Sequence, residues 1–348
     1  MTVIEWERYP LVAGLAQART WLDIQVNLGL APNTIQTYGH GLEDYLRFCE
    51  RYNIFPPSAT REHIAAYIGD LRTRPTVGRS HRMPPEPGRG LSNATIQQRL
   101  TVVRLYYDYL VEERIRERNP VGRGRYTAGK AFGNGHDRGL VPQYRKLAWI
   151  PNDQEWRCIV DAMRHESLRN RVMFAMAYDA ALRREELCAL QTGDIDPSQR
   201  LLRIRAETTK NRQERIIPYS QATGTLYQQY LQLRREMSRQ RGPLFLSESR
   251  RNHAQPVTIW TWSKVIRGIA VQSGVHQFTT HTLRHLCLTD LAHADWDIHE
   301  IALFAGHRST QSTLLYIHLS GRDLSAKLAE GMTHLHAARV ALLAEVLA

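Results

Sequence analysis

Long apolar runs, paired cysteines and an excess of acidic charge are all missing from this 348-residue sequence. No apolar stretch approaches the length needed to cross a membrane, and residues 1–10 lack the basic start and apolar stretch of a secretory signal. We therefore expect a protein that stays in the cell that makes it. The cysteines are far apart, and none forms a C-x-x-C pair, which favours small buried side chains over a disulfide framework or a zinc site. They are Cys49, Cys158, Cys188 and Cys287.

The charge balance indicates one class of partner. The chain has 46 Lys and Arg against 34 Asp and Glu, a formal net charge of +12 and a pI of about 9.8. Arginine predominates, and its planar guanidinium suits phosphate oxygens better than a point charge does. A polyanion, most simply nucleic acid, is the partner that this composition favours. A basic protein without such a partner would have the same composition, and charge alone does not distinguish DNA from RNA.

The first third of the chain has the apolar periodicity of short amphipathic helices. Residues 33–50, 60–72 and 93–113 each place apolar side chains at the spacings of one helical face. A further helix is predicted over about 11–28. Together these segments predict a helical bundle within a domain that spans residues 1–118.

Residues 119–148 differ in character, because glycines recur and the apolar periodicity disappears. This composition predicts an interdomain linker. A basic linker between two basic domains could lie along a DNA backbone. The basic residues predicted to contact DNA, together with Arg212 further along the chain, are Arg123, Arg125, Lys130, Arg145 and Lys146.

The next domain, residues 149–321, combines helices with one strand signal. Residues 194–218 place alternating apolar side chains on either side of a polar, basic turn, which predicts a β-hairpin. Helical periodicity covers the rest, and a tail at 322–348 ends in an amphipathic helix. The predicted fold class is mainly α with a small β-sheet or hairpin.

Five short segments contain residue types suited to chemistry on a phosphate. Taken alone, each has a structural explanation: an ion pair at i and i+3, a solvated turn lysine, or an aromatic side chain in a core. Only their joint occurrence favours a functional site. The segments are Ala180–Leu187 with Arg183 and Glu186, Thr209–Arg215 with Lys210, His281–His285 with Arg284, Ala305–His307, and Tyr316 nine residues after His307.

The two histidines at i and i+4 also raise the question of a metal site. His281 and His285 would share one helix face, as zinc ligands often do. No glutamate follows His281, and the guanidinium of Arg284 beside them would repel a cation. We therefore expect no metal, and we interpret His285 as a structural hydrogen-bonding residue.

Together the five segments resemble the tyrosine recombinases, also called the phage integrase family. That family's pattern has an arginine in G-L-R-x-x-E-L, a lysine in a hairpin turn, H-x-L-R-H, L-G-H and a tyrosine shortly afterwards. The stretches NTIQTYGHGLEDYLRFC and LSNATIQQRLTVVRLYYDYLVEERIRERNPV resemble its core-binding domain, so the resemblance covers about residues 15–320. The departures are small: Ala181 stands where the first motif often has glycine, and Thr209 and Asn211 stand where glycines often flank the lysine.

The resemblance implies a fold and a mechanism. A SAM-like core-binding domain and a catalytic α+β domain would form a C-shaped clamp around DNA. Cleaving a phosphodiester needs positive groups on its oxygens, an in-line nucleophile and a proton for the leaving oxygen. Two arginines would clamp the phosphate, two histidines would donate hydrogen bonds or shuttle a proton, the lysine would protonate the 5′ oxygen, and the tyrosine would form a 3′-phosphotyrosine without metal or other cofactor. These residues are Arg183, Lys210, His281, Arg284, His307 and Tyr316, supported by Glu186 and His285.

The implied function is site-specific recombination in the integration, excision, resolution or transposition of a mobile element. The implied partners are double-stranded DNA, further copies of the chain or a related recombinase in a tetramer linked by the tail, and accessory DNA-bending proteins. The expected location is the bacterial cytoplasm, at the nucleoid, with no membrane partner. Two alternatives stay open: a strand transferase of the type IB topoisomerase or telomere-resolvase kind, and a DNA-binding protein without catalysis.

Overall fold

The computed structural model describes residues 3–74, 90–122, 140–142 and 148–314. The chain divides into two compact units, Met1–Arg145 and Lys146–Ala348. All four cysteines are free thiols. Among the described helices, none combines the length and the apolar character that a membrane span requires.

The described part of the first unit is helical. The helix predicted over about 11–28 is two helices, because Leu15 between them has extended backbone angles (φ −98°, ψ 108°). Two later helices begin at side-chain caps, where the hydroxyls of Thr60 and Ser92 each accept a backbone N–H three residues on. The helices are α1 (Pro10–Gly14), α2 (Ala16–Asn27), α3 (Pro32–Arg51), α4 (Arg61–Thr73) and α5 (Asn93–Glu112).

Large aromatic side chains form the centre of this unit. Trp21, Tyr45 and Tyr107 are almost completely buried. Each buried hydroxyl needs a hydrogen-bond partner, and here Tyr107 donates to the Pro56 carbonyl (2.8 Å), so that Tyr45 donates to Tyr107 (2.6 Å). This chain of hydrogen bonds ties α3 to α5 through the core.

The second unit surrounds a small antiparallel sheet with helices. The sheet has a third short strand beside the predicted hairpin, in the order β1 (Ile195–Asp196), β2 (Leu201–Ile204) and β3 (Arg215–Pro218). Leu202 pairs with Ile217, and both side chains are buried against the helices. The helices are α6 (Asp153–Arg164), α7 (Leu168–Asp179), α8 (Arg184–Cys188), α9 (Gln221–Met237), α10 (Ile259–Gln272), α11 (Thr282–His293), α12 (Ile298–Ala305) and α13 (Thr310–Leu314).

A second, smaller apolar cluster in this unit brings together the chain segments that carry the sequence motifs. It joins the turn after α7 to α11 and α12, so the starts of α8 and α11 and the end of α12 lie near one another. The helices and the three-stranded sheet together confirm the predicted fold class, mainly α with a small sheet. The cluster's buried members are Ala181, Cys287, Leu288, Ile301 and Ala305.

Candidate active site

Arg183 and Glu186 are fixed to each other at the start of α8. The chain enters this helix through Ala181, whose φ of +45° lies in the left-handed region. Arg183 is the residue before the first turn, and Glu186 accepts both its backbone N–H (3.0 Å) and its guanidinium (2.8 Å). The Glu186 side chain is 1% exposed and that of Arg183 is 18% exposed. The Arg183–Glu186 ion pair, which the i and i+3 spacing predicted, therefore exists, and its carboxylate is buried rather than at the surface.

Arg215, which was not among the predicted site residues, makes a second ion pair with the same carboxylate. Its Nη1 and Nη2 donate to the two oxygens of Glu186 at 3.2 and 2.7 Å. Burial alone would raise the pKa of Glu186, but the hydrogen bonds and charge of Arg215, then those of Arg183, lower it to about 2. The sequence feature that could have indicated Arg215 is its place directly after the turn that carries Lys210, at the first residue of β3.

Arg284 is enclosed by backbone carbonyls. Its side chain is completely buried within α11. It donates to the carbonyl of Ala181, before α8, and to that of Ala305 (2.7 Å), at the end of α12. The second predicted phosphate ligand thus connects all three helices that converge on the site.

His307 is positioned by the way α12 ends. Gly306 closes the helix in the left-handed region (φ +62°, ψ 47°), and the His307 N–H donates back to Ala302. The His307 Nε2 lies 2.8 Å from the Arg284 guanidinium, and its Nδ1 lies 2.9 Å from the Thr313 hydroxyl. Because a guanidinium only donates, Nε2 is the acceptor, so a neutral ring carries its proton on Nδ1 and donates it to Thr313.

Both site histidines are held in the neutral form. Burial, then the charges of Arg284, Arg183 and Arg215, lowers the pKa of His307 to about 3. Burial and the same first two arginines also lower the pKa of His281. His281 precedes α11, and its ring meets that of His285 edge to face, with centroids 4.7 Å apart.

The hairpin turn carries Lys210 to the same region. Its neighbour Asn211 donates from its side-chain amide to the carbonyl of Gly306 at 2.9 Å, one residue before His307. Lys210 itself is exposed, and so is Arg212, which has a φ of +53°. The turn is therefore attached to the site through the Asn211 side chain, while its two basic side chains extend to the surface.

Several predicted residues lie outside the described part of the chain. Among them is Tyr316, since the description of this unit stops at Leu314. The tail and most of the predicted linker are also outside it. The predicted DNA contacts in this group are Arg123, Arg125, Lys130, Arg145 and Lys146.

The described side chains together form a cationic centre. Arg183 and Arg215 pair with the one ionised carboxylate, Glu186, and Arg284 lies against His307, which leaves two positive charges in excess beside two neutral histidines. In a poorly solvated site, such an excess strongly favours an anion. The convergence of Arg183, Arg284, His281 and His307 is therefore suited to a phosphate group.

Comparison with known proteins gives the same interpretation. Residues 150–322 match the phage integrase family. Transposase A from transposon Tn554 of Staphylococcus aureus is 25% identical over 342 residues, covering 91% of this chain and 90% of that protein. Tyrosine recombinase XerC of Herpetosiphon aurantiacus is 25% identical over 301 residues, covering 85% and 88%.

A solved structure extends the likeness to the fold. The XerH site-specific recombinase, in a post-cleavage complex with a palindromic difH substrate, aligns with a TM-score of 0.64 at 16% identity. The alignment covers 86% of this chain and 80% of that one. With the family match over the second unit and the motifs gathered there in order, the chain belongs to the phage integrase family, the tyrosine recombinases.

Proposed function

We propose that this chain is a site-specific DNA recombinase that cleaves and rejoins strands through a 3′-phosphotyrosine on Tyr316. The observation that carries the proposal is the group of Arg183, Glu186, Arg284 and His307, built on the buried Glu186 and Arg284, in which the guanidiniums outnumber the carboxylate. A phosphodiester supplies the anion that this centre favours. Double-stranded DNA is the partner that presents such groups in a fixed array.

The proposed reaction is a pair of transesterifications. The phenolic oxygen of Tyr316 gives its proton to the neutral imidazole of His281 and attacks phosphorus, and the bond from phosphorus to the 5′ oxygen breaks. Lys210, on the turn attached to Gly306, gives a proton to the leaving 5′ oxygen. A 5′ hydroxyl of another strand then attacks the phosphotyrosine and returns its proton to Lys210, while Tyr316 leaves with the proton from His281, so the bond energy is retained throughout.

Chain connectivity supports Tyr316 as the nucleophile. Thr313, three residues before it in the sequence, is completely buried and accepts the hydrogen bond of His307. Three residues of chain reach at most about 11 Å. A tyrosine at position 316 is therefore within reach of a phosphate bound at the centre.

The electrostatics of the centre suggest how His307 enters the reaction. Its Nε2 accepts a hydrogen bond from Arg284. A phosphate bound beside Arg284 competes for that donor and brings negative charge, which raises the pKa of the imidazole. We propose that His307 then takes up a proton and donates to a non-bridging oxygen of the phosphate.

We also propose a domain organisation and an assembly. Residues 1–118 form a core-binding domain, 119–148 a basic linker along the DNA, 149–321 the catalytic domain, and 322–348 a tail exchanged between subunits. Four copies, or a mixture with a related recombinase, would join two duplexes with the help of DNA-bending proteins. The solved relative in complex with its difH substrate, which aligns with both units, supports the DNA partner.

A covalent adduct tests the proposed function. Inverted half-sites in the DNA flanking the gene supply candidate substrates, each nicked so that cleavage traps the protein on DNA. In EDTA, the wild type is expected to give a slower band on a denaturing gel, and Tyr316→Phe none. Tyr219→Phe is the matched control, because Tyr219 is a buried tyrosine of the same unit that follows β3.

Three results would contradict parts of this proposal. An adduct in Tyr316→Phe would show that another residue is the nucleophile. Salt-sensitive binding without any adduct would favour a DNA-binding protein without catalysis. Relaxation of a supercoiled circle without pairing of two duplexes would favour a topoisomerase-like enzyme.

A further inference from the structure

We infer that Arg215 is a positioning residue of the strand-transfer reaction: it holds Glu186 in place and neutralises it, so that Arg183 keeps its orientation and its charge for the phosphate. This inference rests on the proposed function. Arg215 acts through Glu186 and need not touch the DNA.

The geometry gives Arg215 the stronger hold on the carboxylate. It binds both oxygens of Glu186 in a fork, whereas the side chain of Arg183 binds only Oε1, at 2.8 Å. Arg215 is also the better buried, with 7% of its side chain exposed against 18% for Arg183. Of the two arginines that pair with Glu186, Arg183 is thus the one more open to a ligand, and Arg215 holds the carboxylate from its buried side.

Arg215 also contacts the segment that carries His307. A β-carbon placed on Gly306 would lie 3.0 Å from Nη1 of Arg215 and 3.2 Å from its Cδ. The guanidinium therefore packs directly on the backbone where α12 ends. One side chain links the Glu186–Arg183 pair to the Gly306–His307 step.

The charge count explains why a second arginine is needed. With Arg215 present, Glu186 is neutralised and two positive charges remain in excess at the centre. Without it, the buried carboxylate has Arg183 as its one remaining guanidinium among the described contacts, and the pair cancels. Arg183 would then stabilise less of the negative charge that develops on the phosphate in the transition state.

A double-mutant cycle tests this coupling. In single turnover at saturating nicked DNA, Arg215→Met is expected to form the adduct about 10- to 100-fold more slowly, the range typical when groups that orient metal ligands are removed. The dissociation constant for DNA should change little. In the Glu186→Gln background, the same substitution should cause no further slowing, because the carboxylate through which it acts is absent.

The pH profile provides a readout that a purely structural role would not move. Glu186 without Arg215 has a higher pKa, so acid pH protonates it sooner and restores the uncancelled charge of Arg183. The slowing caused by Arg215→Met should therefore shrink as pH falls, and this pH dependence should vanish in the double variant that combines Arg215→Met with Glu186→Gln. Arg215→Lys, which keeps the charge but not the fork, should recover part of the rate.

Arg205→Met is the matched control. Arg205 is a half-buried arginine of the same unit that pairs with the buried Asp194 at 3.0 Å and donates to the Ala189 carbonyl. Its loss should lower stability and leave the single-turnover rate of the folded enzyme unchanged. If Arg215→Met does not fold, Arg215→Lys in the two backgrounds gives the same test.

The outcomes separate this inference from the proposed function. Absence of an adduct in the wild type would refute the proposed function itself. A second outcome would refute the coupling alone. In it, the wild type forms the adduct, and the Arg215 variants slow the reaction equally in the wild-type and Glu186→Gln backgrounds. Arg215 variants that lose stability but no rate, as the Arg205 control is expected to do, would also refute the coupling.

Discussion

Gly306→Ala separates backbone strain from site geometry. An alanine at φ +62° must adopt the left-handed backbone conformation, which destabilises the fold by about 1–2 kcal/mol. Alanine also reduces the conformational entropy of the unfolded chain, which stabilises the fold by about 0.4–1 kcal/mol. The new methyl would also meet Arg215 Nη1 at 3.0 Å. Displacing that buried guanidinium weakens a hydrogen bond to Glu186, which lowers the free energy of unfolding by about 1–3 kcal/mol. The expected loss is therefore about 2–4 kcal/mol.

The matched control is Gly274→Ala. Gly274 has a similar φ of +71°, but a β-carbon there would meet nothing within 4 Å. It should cost only the net strain, about 1 kcal/mol. Urea unfolding followed by tryptophan fluorescence measures both, since five of the seven tryptophans lie after residue 146.

The two variants should differ in activity as well as in stability. Gly306→Ala should slow adduct formation about tenfold or more, since Arg215 and His307 both shift, as expected when supporting groups are displaced. Gly274→Ala should form the adduct at the wild-type rate. Equal stability losses and equal rates in the two variants would refute the steric role of Arg215 at this turn.

Three further predictions concern the residues around Arg284. Thr313→Val removes the hydroxyl that accepts the His307 Nδ1 proton, so adduct formation should slow. Thr313→Ser keeps a hydroxyl at this position and should keep the wild-type rate. A normal rate in the valine variant would contradict the assigned tautomer of His307. Ala181→Gly relieves positive φ but removes a buried methyl, so the free energy of unfolding should change by less than about 1 kcal/mol, whereas Ala181→Val should destabilise strongly, as urea unfolding would show. The pKa of His307 is about 3 in the fold against an ordinary 6.5, so the neutral ring contributes stability above pH 6.5 that is lost as pH falls towards 3; the stability difference between wild type and His307→Gln should therefore shrink over that interval, and a constant difference would contradict it.

The local pattern of the sequence determined most of the secondary structure. Apolar periodicity predicted the long helices because each buries one face, and the predicted segments 60–72 and 93–113 begin within one residue of α4 and α5. The interruption at Leu15 and the short strand β1 were missed. Both depend on backbone angles and pairing that a few residues of pattern do not specify.

The motifs, taken in order, determined the family and the candidate residues Arg183, Arg284 and His307. The sequence could also suggest that Glu186 orients a partner, since a carboxylate three residues after an arginine shares its helix turn. Ala181 was noted at a position where glycine is frequent, and its positive φ supplies the reason.

Only the tertiary structure decided which charges meet. Arg215 and Glu186 are 29 residues apart, and Arg284 reaches a carbonyl 103 residues away. Such pairs form because β3, α8 and α11 pack around shared apolar clusters, and no local periodicity encodes that contact. The sequence thus indicated the chemistry of the site, whereas long-range packing determined its net charge, the tautomer of His307 and the burial of Arg284.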